Sequence, residues 1–288
     1  GEQVDLAVTS DRQNDTLAIF KIDPAKGQLI NVTAPDMLAT IFGVDDGEQT
    51  AYGLCTYTSP VDGITYAFTT EADGNHVAQL ALTDNGNGAV QAQVVRMLTL
   101  PVPTGDPGDS QSEGLVADRE LGILYVAMEE EHGIVKFSAE ANGGTDYELV
   151  RSIDEDYFAP DIEGLTIYYG PEGTGYLLVS SQGDSTIAVL DRAGDNAYLG
   201  SFIVGDSKKI DQVNESDGMD VINVALGPKY PMGLLVLQDG ANDPQNVVPD
   251  EEELENNSTN FKFVPWQNVA QGFTEQLLID PESYHPRN

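Results

Sequence analysis

The stretch PDIEGLTIYYG, residues 160–170, decides the fold, because two carboxylates stand there before a glycine and an apolar run that is typical of a β-strand. Related copies stand at 113–115 (EGL) and 217–219 (DGM). A fourth copy at 52–54 (YGL) has a tyrosine in the acidic position. An oxygen-bearing side chain therefore precedes a glycine and an apolar residue four times in one chain.

The copies of this motif belong to a longer repeat of short strands. The motif glycines stand at 53, 114, 164 and 218, at intervals of 61, 50 and 54 residues. Each is followed by a second strand-like run and usually by a third, with Gly, Asp and Asn between the runs, and no long 3.6-residue apolar period is present. Units of roughly this length with three or four strands are typical of a β-propeller. We therefore predict an all-β propeller.

In a propeller, the first strand of each blade lines the central channel, so equivalent positions of the repeat converge on the axis. Tyr52, Glu113, Glu163 and Asp217 are then expected to form a ring near one mouth of the channel. Carboxylates that lie close together repel one another and must become protonated or bind cations. Ligands that are all oxygens, with no matching His or Cys, favour a hard cation such as Ca²⁺.

The charge balance limits the partners of this chain. It has 288 residues, of which 48 are acidic and 13 basic, and its net charge is −35. A surface of this kind repels nucleic acid and anionic membranes, so we expect neither as a partner. No apolar run reaches the ~18 residues that span a bilayer. The single cysteine, Cys55, is interpreted as a small buried hydrophobic residue.

Several motifs in register resemble the β-propeller phytases, which are also called alkaline or calcium-dependent phytases. They are SQSEGLVADRELGILYVAMEEEHGIVKF, PDIEGLTIYYGPEGTGYLLVSSQGDSTIAVLDR, SDGMDVINVALGPKYPMGLLVLQDG and NFKFVPW, and the likeness runs from Val4 to Trp266. The resemblance implies a six-bladed propeller, several bound Ca²⁺ ions, hydrolysis of phytate (inositol hexakisphosphate) as its calcium complex, and a secreted or periplasmic location.

The resemblance also implies roles for particular residues. Tyr52, Glu113 and Glu163 would be catalytic residues, and Arg12 in TSDR would contact substrate phosphate. The implied metal ligands at the active site are Tyr52, Glu113, Asp161, Glu163 and one acid of MEEEHG, for which Glu129 and Glu130 both remain open. The implied ligands of calcium nearer the structural sites are Asp211, Asp217, Asp239 and Asn242.

Two departures from the family pattern remove positive charge. The family begins with about another blade and a half, carrying a metal motif and a lysine pair, and a phosphate-binding lysine expected after TYAFTT is replaced by EADG at 71–74. We therefore expect a single propeller domain over 1–288 with its opening blade or blades missing and an acidic loop insertion at 249–260. The chain would be a monomer unless another chain supplies the missing segment, and its activity could be reduced or lost.

These observations predict a calcium-dependent phosphatase that converts phytate to lower inositol phosphates and inorganic phosphate through a metal-activated water. No motif for a protein nucleophile is present. Two alternatives stay open. One is a non-catalytic, calcium-stabilised propeller that is a degenerate phytase-like domain. The other is a calcium-dependent lactonase-type propeller, which would need a more apolar pocket and no arginine for phosphate.

Overall fold

The computed structural model describes residues 3–35, 37, 40–43, 50–130, 132–153, 157–250, 253–256 and 258–285, with the side chains of 248–250 and 253–256 left aside. The chain divides into two compact units, residues 1–149 (unit 1) and 150–288 (unit 2). Each unit has its own sheets and its own hydrophobic core. The expectation of a single domain over 1–288 stays a prediction.

Unit 1 is built from three antiparallel sheets in which strands consecutive in sequence are neighbours. The last strand of the third sheet begins in unit 1 and ends just beyond residue 149. The sheets are β1 (Leu6–Asp11), β2 (Thr16–Asp23) and β3 (Gln28–Asn31); β4 (Ala51–Thr58), β5 (Thr65–Glu71), β6 (His76–Asp84) and β7 (Val90–Thr99); and β8 (Leu115–Asp118), β9 (Ile123–Ala127), β10 (Ile134–Ser138) and β11 (Glu148–Arg151).

The core of unit 1 lies between the faces of these sheets. Tyr57 on β4, Phe68 on β5 and Leu124 on β9 are almost fully buried and belong to one cluster. Cys55 packs against this cluster and is partly buried, and burial raises the pKa of its thiol. The interpretation of Cys55 as an apolar packing residue is therefore consistent with its position.

Unit 2 contains one four-stranded sheet, one three-stranded sheet, a hairpin and a short helix. Trp266, the first residue of the helix, stacks on Tyr168 at 4.2 Å between ring centroids and donates its Nε1–H to the carbonyl oxygen of Leu278 at 2.8 Å. The elements are β12 (Ile162–Tyr169), β13 (Gly175–Ser181), β14 (Thr186–Asp191) and β15 (Tyr198–Phe202); β16 (Met219–Ile222), β17 (Leu234–Asp239) and β20 (Asn260–Pro265); the hairpin β18 (Val247–Asp250) and β19 (Glu253–Asn256); and α1 (Trp266–Gly272).

The predicted all-β propeller class is confirmed, but the expected number of blades is wrong. The described residues form five sheets of three or four strands, which are the blades, and not six. The expectation that opening blades are missing is not supported by the sheets of the described residues. No helix in the described ranges is both long and apolar enough to cross a bilayer.

The segment 249–260, predicted to be an acidic loop, is largely ordered as strands where it is described. β18 and β19 pair antiparallel, with Val247 opposite Asn256, and β20 begins at Asn260. Residues 251, 252 and 257 lie outside the described residues. The Val-Val pair at the start of β18 favours extended backbone, and the surplus of acidic residues that suggested a loop does not prevent pairing.

Candidate active site

The glycines of the repeated motif allow neighbouring copies of the motif to pack backbone against backbone. In unit 1, a Cβ atom on Gly53 would lie 2.0 Å from the carbonyl oxygen of Glu113, which is far inside van der Waals contact. In unit 2, the Gly164 N–H donates to the carbonyl oxygen of Asp217 at 2.8 Å, and a Cβ on Gly164 would lie 2.9 Å from that oxygen. Only a residue without a side chain permits these approaches. The motif therefore places its acidic positions side by side within each unit.

The carboxylates of Glu113 and Glu129 lie close together in unit 1. Each offers an oxygen within 4.8 Å of the other, and Glu129 is only 9% exposed. Gln111 orients Glu129, since its Nε2 donates to Glu129 Oε2 at 2.8 Å and its carbonyl oxygen accepts from the Glu129 N–H at 3.1 Å. Glu130 is exposed. Between the two candidates left open by the sequence, the geometry therefore favours Glu129.

This pair of oxygens fits a divalent cation. Two carboxylates at such a separation repel each other in a partly desolvated setting, and a bound cation relieves that repulsion. Oxygen donors without a nitrogen or sulfur partner suit a hard ion such as Ca²⁺.

Tyr52 and Arg12, both predicted for the site, are in direct contact. The Arg12 guanidinium carbon lies 4.5 Å from the centroid of the Tyr52 ring, a distance at which the ring face attracts the cation. Arg12 opens a short 3₁₀ turn, Arg12–Asn14, directly after β1, and is exposed. The planar guanidinium is thereby held at one face and keeps its edges for hydrogen bonding.

A buried carboxylate ties this turn to the strand that carries Tyr52. Asp15 is fully buried, and its Oδ2 accepts from the N–H groups of Phe42 at 2.7 Å and Gly43 at 3.1 Å. Its Oδ1 accepts from the Ala51 N–H at 3.0 Å. Asp15 is thus a positioning residue that the sequence reasoning missed. The only signal for it was an aspartate after a short Arg-Gln-Asn turn, which is common in loops of every kind.

The predicted ligands Asp161 and Asp217 belong to one group in unit 2. Gln182 joins them, because its N–H donates to the Asp161 carbonyl oxygen at 2.9 Å and its Nε2 donates to Asp217 Oδ1 at 2.5 Å. Burial raises the pKa of Asp161; it also raises the pKa of Asp217, where the negative charge of Asp161 adds to the effect and Gln182 opposes it. Glu163, on β12, is 6% exposed. The role of Gln182 was not predicted, although it lies in the SSQG stretch of the second motif.

Three predicted ligands of structural calcium, Asp211, Asp239 and Asn242, also come together in unit 2, but they surround a lysine. Lys262 Nζ lies 2.5 Å from Asp211 Oδ1, 2.8 Å from Asp239 Oδ2 and 3.0 Å from Asn242 Oδ1. Burial by itself lowers the pKa of Lys262, and the two carboxylates more than offset this, so the pKa is raised. The lysine lowers the pKa of Asp211. As the side chains stand, this pocket does not fit a calcium ion.

The stretch EADG at 71–74 follows TYAFTT, in the place where the family pattern has a phosphate-binding lysine. Glu71 ends β5, and its Oε2 lies 2.6 Å from His76 Nδ1. The stretch EADG, in which the resemblance leads us to expect a phosphate-binding lysine, therefore begins with an acid paired with a histidine.

The class of this protein is therefore an all-β propeller. Its unit 1 carries a carboxylate pair and an arginine that lies over a tyrosine ring. The phytase family matches residues 1–288, and the chain belongs to that family. It is 39% identical over 277 residues to a 3-phytase from Bacillus subtilis (strain 168), an alignment that covers 96% of this chain. The chain spans 66% of the length of that curated relative.

Solved structures support the fold alone. The chain is similar to an exo-β-1,3-galactanase from Clostridium thermocellum, with a TM-score of 0.54 and 9% identity over 92% of this chain and 57% of the other. It is similar to an exo-β-1,3-galactanase from Phanerochaete chrysosporium, with a TM-score of 0.53 and 10% identity over 94% of this chain and 59% of the other. At such low identities, a shared fold gives no information about the reaction.

Proposed function

We propose that this chain hydrolyses phytate to lower inositol phosphates and inorganic phosphate, and that it does so only with bound Ca²⁺. Membership of the phytase family and the likeness to a 3-phytase support the reaction class. The observation that carries the proposal is the carboxylate pair Glu113 and Glu129, whose backbone packs through Gly53 against the strand of Tyr52.

Calcium dependence follows from the electrostatics of the site. Phytate is a polyanion, and a chain with a net charge of −35 repels it. Glu113, Glu129 and Tyr52 would hold the cation. When bound there, calcium supplies positive charge for the phosphate oxygens and lowers the pKa of a bound water.

The chain's own residues bind and orient the substrate. Arg12 donates a planar pair of N–H groups to one phosphate edge, a geometry that suits phosphate oxygens. The Tyr52 ring holds the guanidinium in place at 4.5 Å, and Asp15 fixes the backbone on both sides of that contact. Gln111 keeps the carboxylate of Glu129 turned toward Glu113. The ligand roles that the resemblance implies for Asp161, Glu163 and Asp217 stay predictions. The secreted or periplasmic location and the monomeric state also stay predictions.

One observation favours the non-catalytic alternative. EADG at 71–74 stands where a phosphate-binding lysine is expected, so the site has less positive charge than the family pattern provides. A calcium-stabilised propeller without activity would retain the cation site and lose phosphate release.

Phosphate release from phytate, measured with Ca²⁺ and after chelation, tests the proposal. We expect release with Ca²⁺ that is lost in chelator and restored by added Ca²⁺. Glu129→Gln should reduce release by a factor of about 10² or more, since a misplaced or missing ligand disturbs the whole site, while Glu130→Gln, at an exposed neighbouring position, is the matched control. Activity that survives chelation would refute the calcium dependence. No release by the unaltered chain would favour the non-catalytic alternative, and hydrolysis of a lactone in its place would favour the lactonase.

A further inference from the structure

Lys262 occupies the centre of a pocket of oxygen atoms in unit 2. An ammonium group has three N–H donors, and three acceptors surround this one at 2.5, 2.8 and 3.0 Å. The lysine is 6% exposed and Asp239 is fully buried. A buried charge is stable only when it is paired and hydrogen-bonded. Lys262 donates hydrogen bonds to Asp211 Oδ1 and Asn242 Oδ1, and it forms an ion pair with Asp239 Oδ2 at 2.8 Å.

One oxygen of each carboxylate in the pocket also accepts a hydrogen bond from the backbone. Asp211 Oδ2 accepts from the Asp243 N–H at 2.6 Å, and Asp239 Oδ1 accepts from the Asn214 N–H at 3.0 Å. A calcium ion needs about six to eight oxygens at 2.3–2.6 Å. It would have to take the space in which the positive Nζ lies and compete for oxygens that already accept hydrogen bonds.

The orientation of Lys262 within its strand shows that the inward position is built into the sheet. Its neighbours Phe261 and Phe263 on β20 are 65% and 58% exposed, while the lysine between them is buried. Successive side chains of a strand point to opposite faces. Because the ammonium group of Lys262 points inward, the two neighbouring aromatic rings on β20 point outward. Burying the rings would be favoured by the hydrophobic effect. Pairing of β20 with β17, in which Lys262 is opposite Leu237, fixes this register.

We propose that Lys262 is the resident cation of this pocket, and that its ammonium group takes the place of a structural calcium ion held by Asp211, Asp239 and Asn242. The lysine joins β20 to the end of β17 and to the segment before β16. This sheet then needs no calcium at the pocket. The inference does not depend on whether the chain hydrolyses phytate.

Calcium stoichiometry of the full chain, measured by equilibrium dialysis at saturating Ca²⁺, tests the proposal. We expect Asp211→Asn to bind as many ions as the unaltered chain. The loss of one ion in Asp211→Asn would overturn the proposal, because it would place calcium in the pocket beside the lysine. This comparison has a readout that is separate from phosphate release, so it can fail while the proposed function stands.

Removal of the lysine tests the same idea from the other side. In chelator, we expect Lys262→Ser to melt about 10 °C lower than the unaltered chain, because it leaves the carboxylates of Asp211 and Asp239 uncompensated. In Ca²⁺, we expect it to bind one more ion than the unaltered chain and to recover its melting temperature. Lys208→Ser, at an exposed loop lysine, is the control and should change neither quantity. A folded Lys262→Ser variant that binds no additional ion would also overturn the proposal. If Lys262→Ser does not fold even in Ca²⁺, the Asp211→Asn comparison decides.

Discussion

Substitution of the motif glycine Gly53 by alanine should separate two strands of unit 1. The added Cβ would lie 2.0 Å from the carbonyl oxygen of Glu113, and also 2.8 Å from its carbonyl carbon and 3.0 Å from its Cα. Contacts under 3.0 Å are not tolerated, so the two backbones must move apart by about 1 Å before the variant fits. Since the obstructing atoms are backbone, no side-chain rotation can relieve the overlap.

Overpacking of this kind costs about 1–3 kcal/mol of the free energy of unfolding. For a chain of this size, each kcal/mol lowers the melting temperature by about 2–4 °C. The displacement also moves Glu113 relative to Glu129, and a misplacement of about 1 Å at a reacting site can reduce activity about 10²-fold. We therefore expect Gly53→Ala to melt at a lower temperature and to release phosphate from phytate much more slowly.

Thermal and urea unfolding of the purified chain measure the loss of stability. Phosphate release at saturating Ca²⁺ measures the loss of activity. Gly218→Ala is a matched control, because Gly218 is the glycine of the DGM copy and a Cβ there would meet no atom within 4 Å. Its stability should stay within about 0.5 kcal/mol of the unaltered chain. Equal stability and activity in the two variants would show that the close backbone approach at Gly53 is not required.

Two further predictions concern residues around Tyr52. Arg12→Ala should raise the KM for phytate about tenfold or more, with a smaller change in kcat, because a charge-assisted hydrogen bond to phosphate is lost. Steady-state kinetics at fixed Ca²⁺ measure both constants, and the KM of Arg12→Lys should lie between those of Arg12→Ala and the unaltered chain. An unchanged KM in both variants would show that Arg12 does not contact the phosphate. Asp15→Asn should lower the free energy of unfolding by about 2 kcal/mol, since one of its three backbone N–H partners would face an amide N–H₂ group. A urea titration checks this, and a variant as stable as the original would contradict the positioning role of Asp15.

The sequence by itself predicted the fold class of this protein, and it proposed most of the candidate site residues. The repeat of strand-like runs predicts an all-β propeller, because runs of strand-forming residues and the turn residues between them are local properties of the chain. The repeat geometry also predicted that the motif copies converge, whereas the close backbone approach at Gly53 is visible only in the structure. The blade count of six came from the family resemblance, whereas the described part of the chain forms five blades.

Tertiary structure alone decided which oxygens share a pocket and what occupies it. Sequence spacing could not distinguish Glu129 from Glu130, since adjacent residues differ only in the direction in which their side chains point. It could not show that Asp15 and Gln182 join distant segments. In NFKFVP, the structure buries Lys262 and exposes Phe261 and Phe263 on either side of it. The carboxylates that pair with Lys262 belong to residues 211 and 239. The negative charge that favours the inward orientation of Lys262 on β20 therefore comes from parts of the chain that are distant from β20 in sequence.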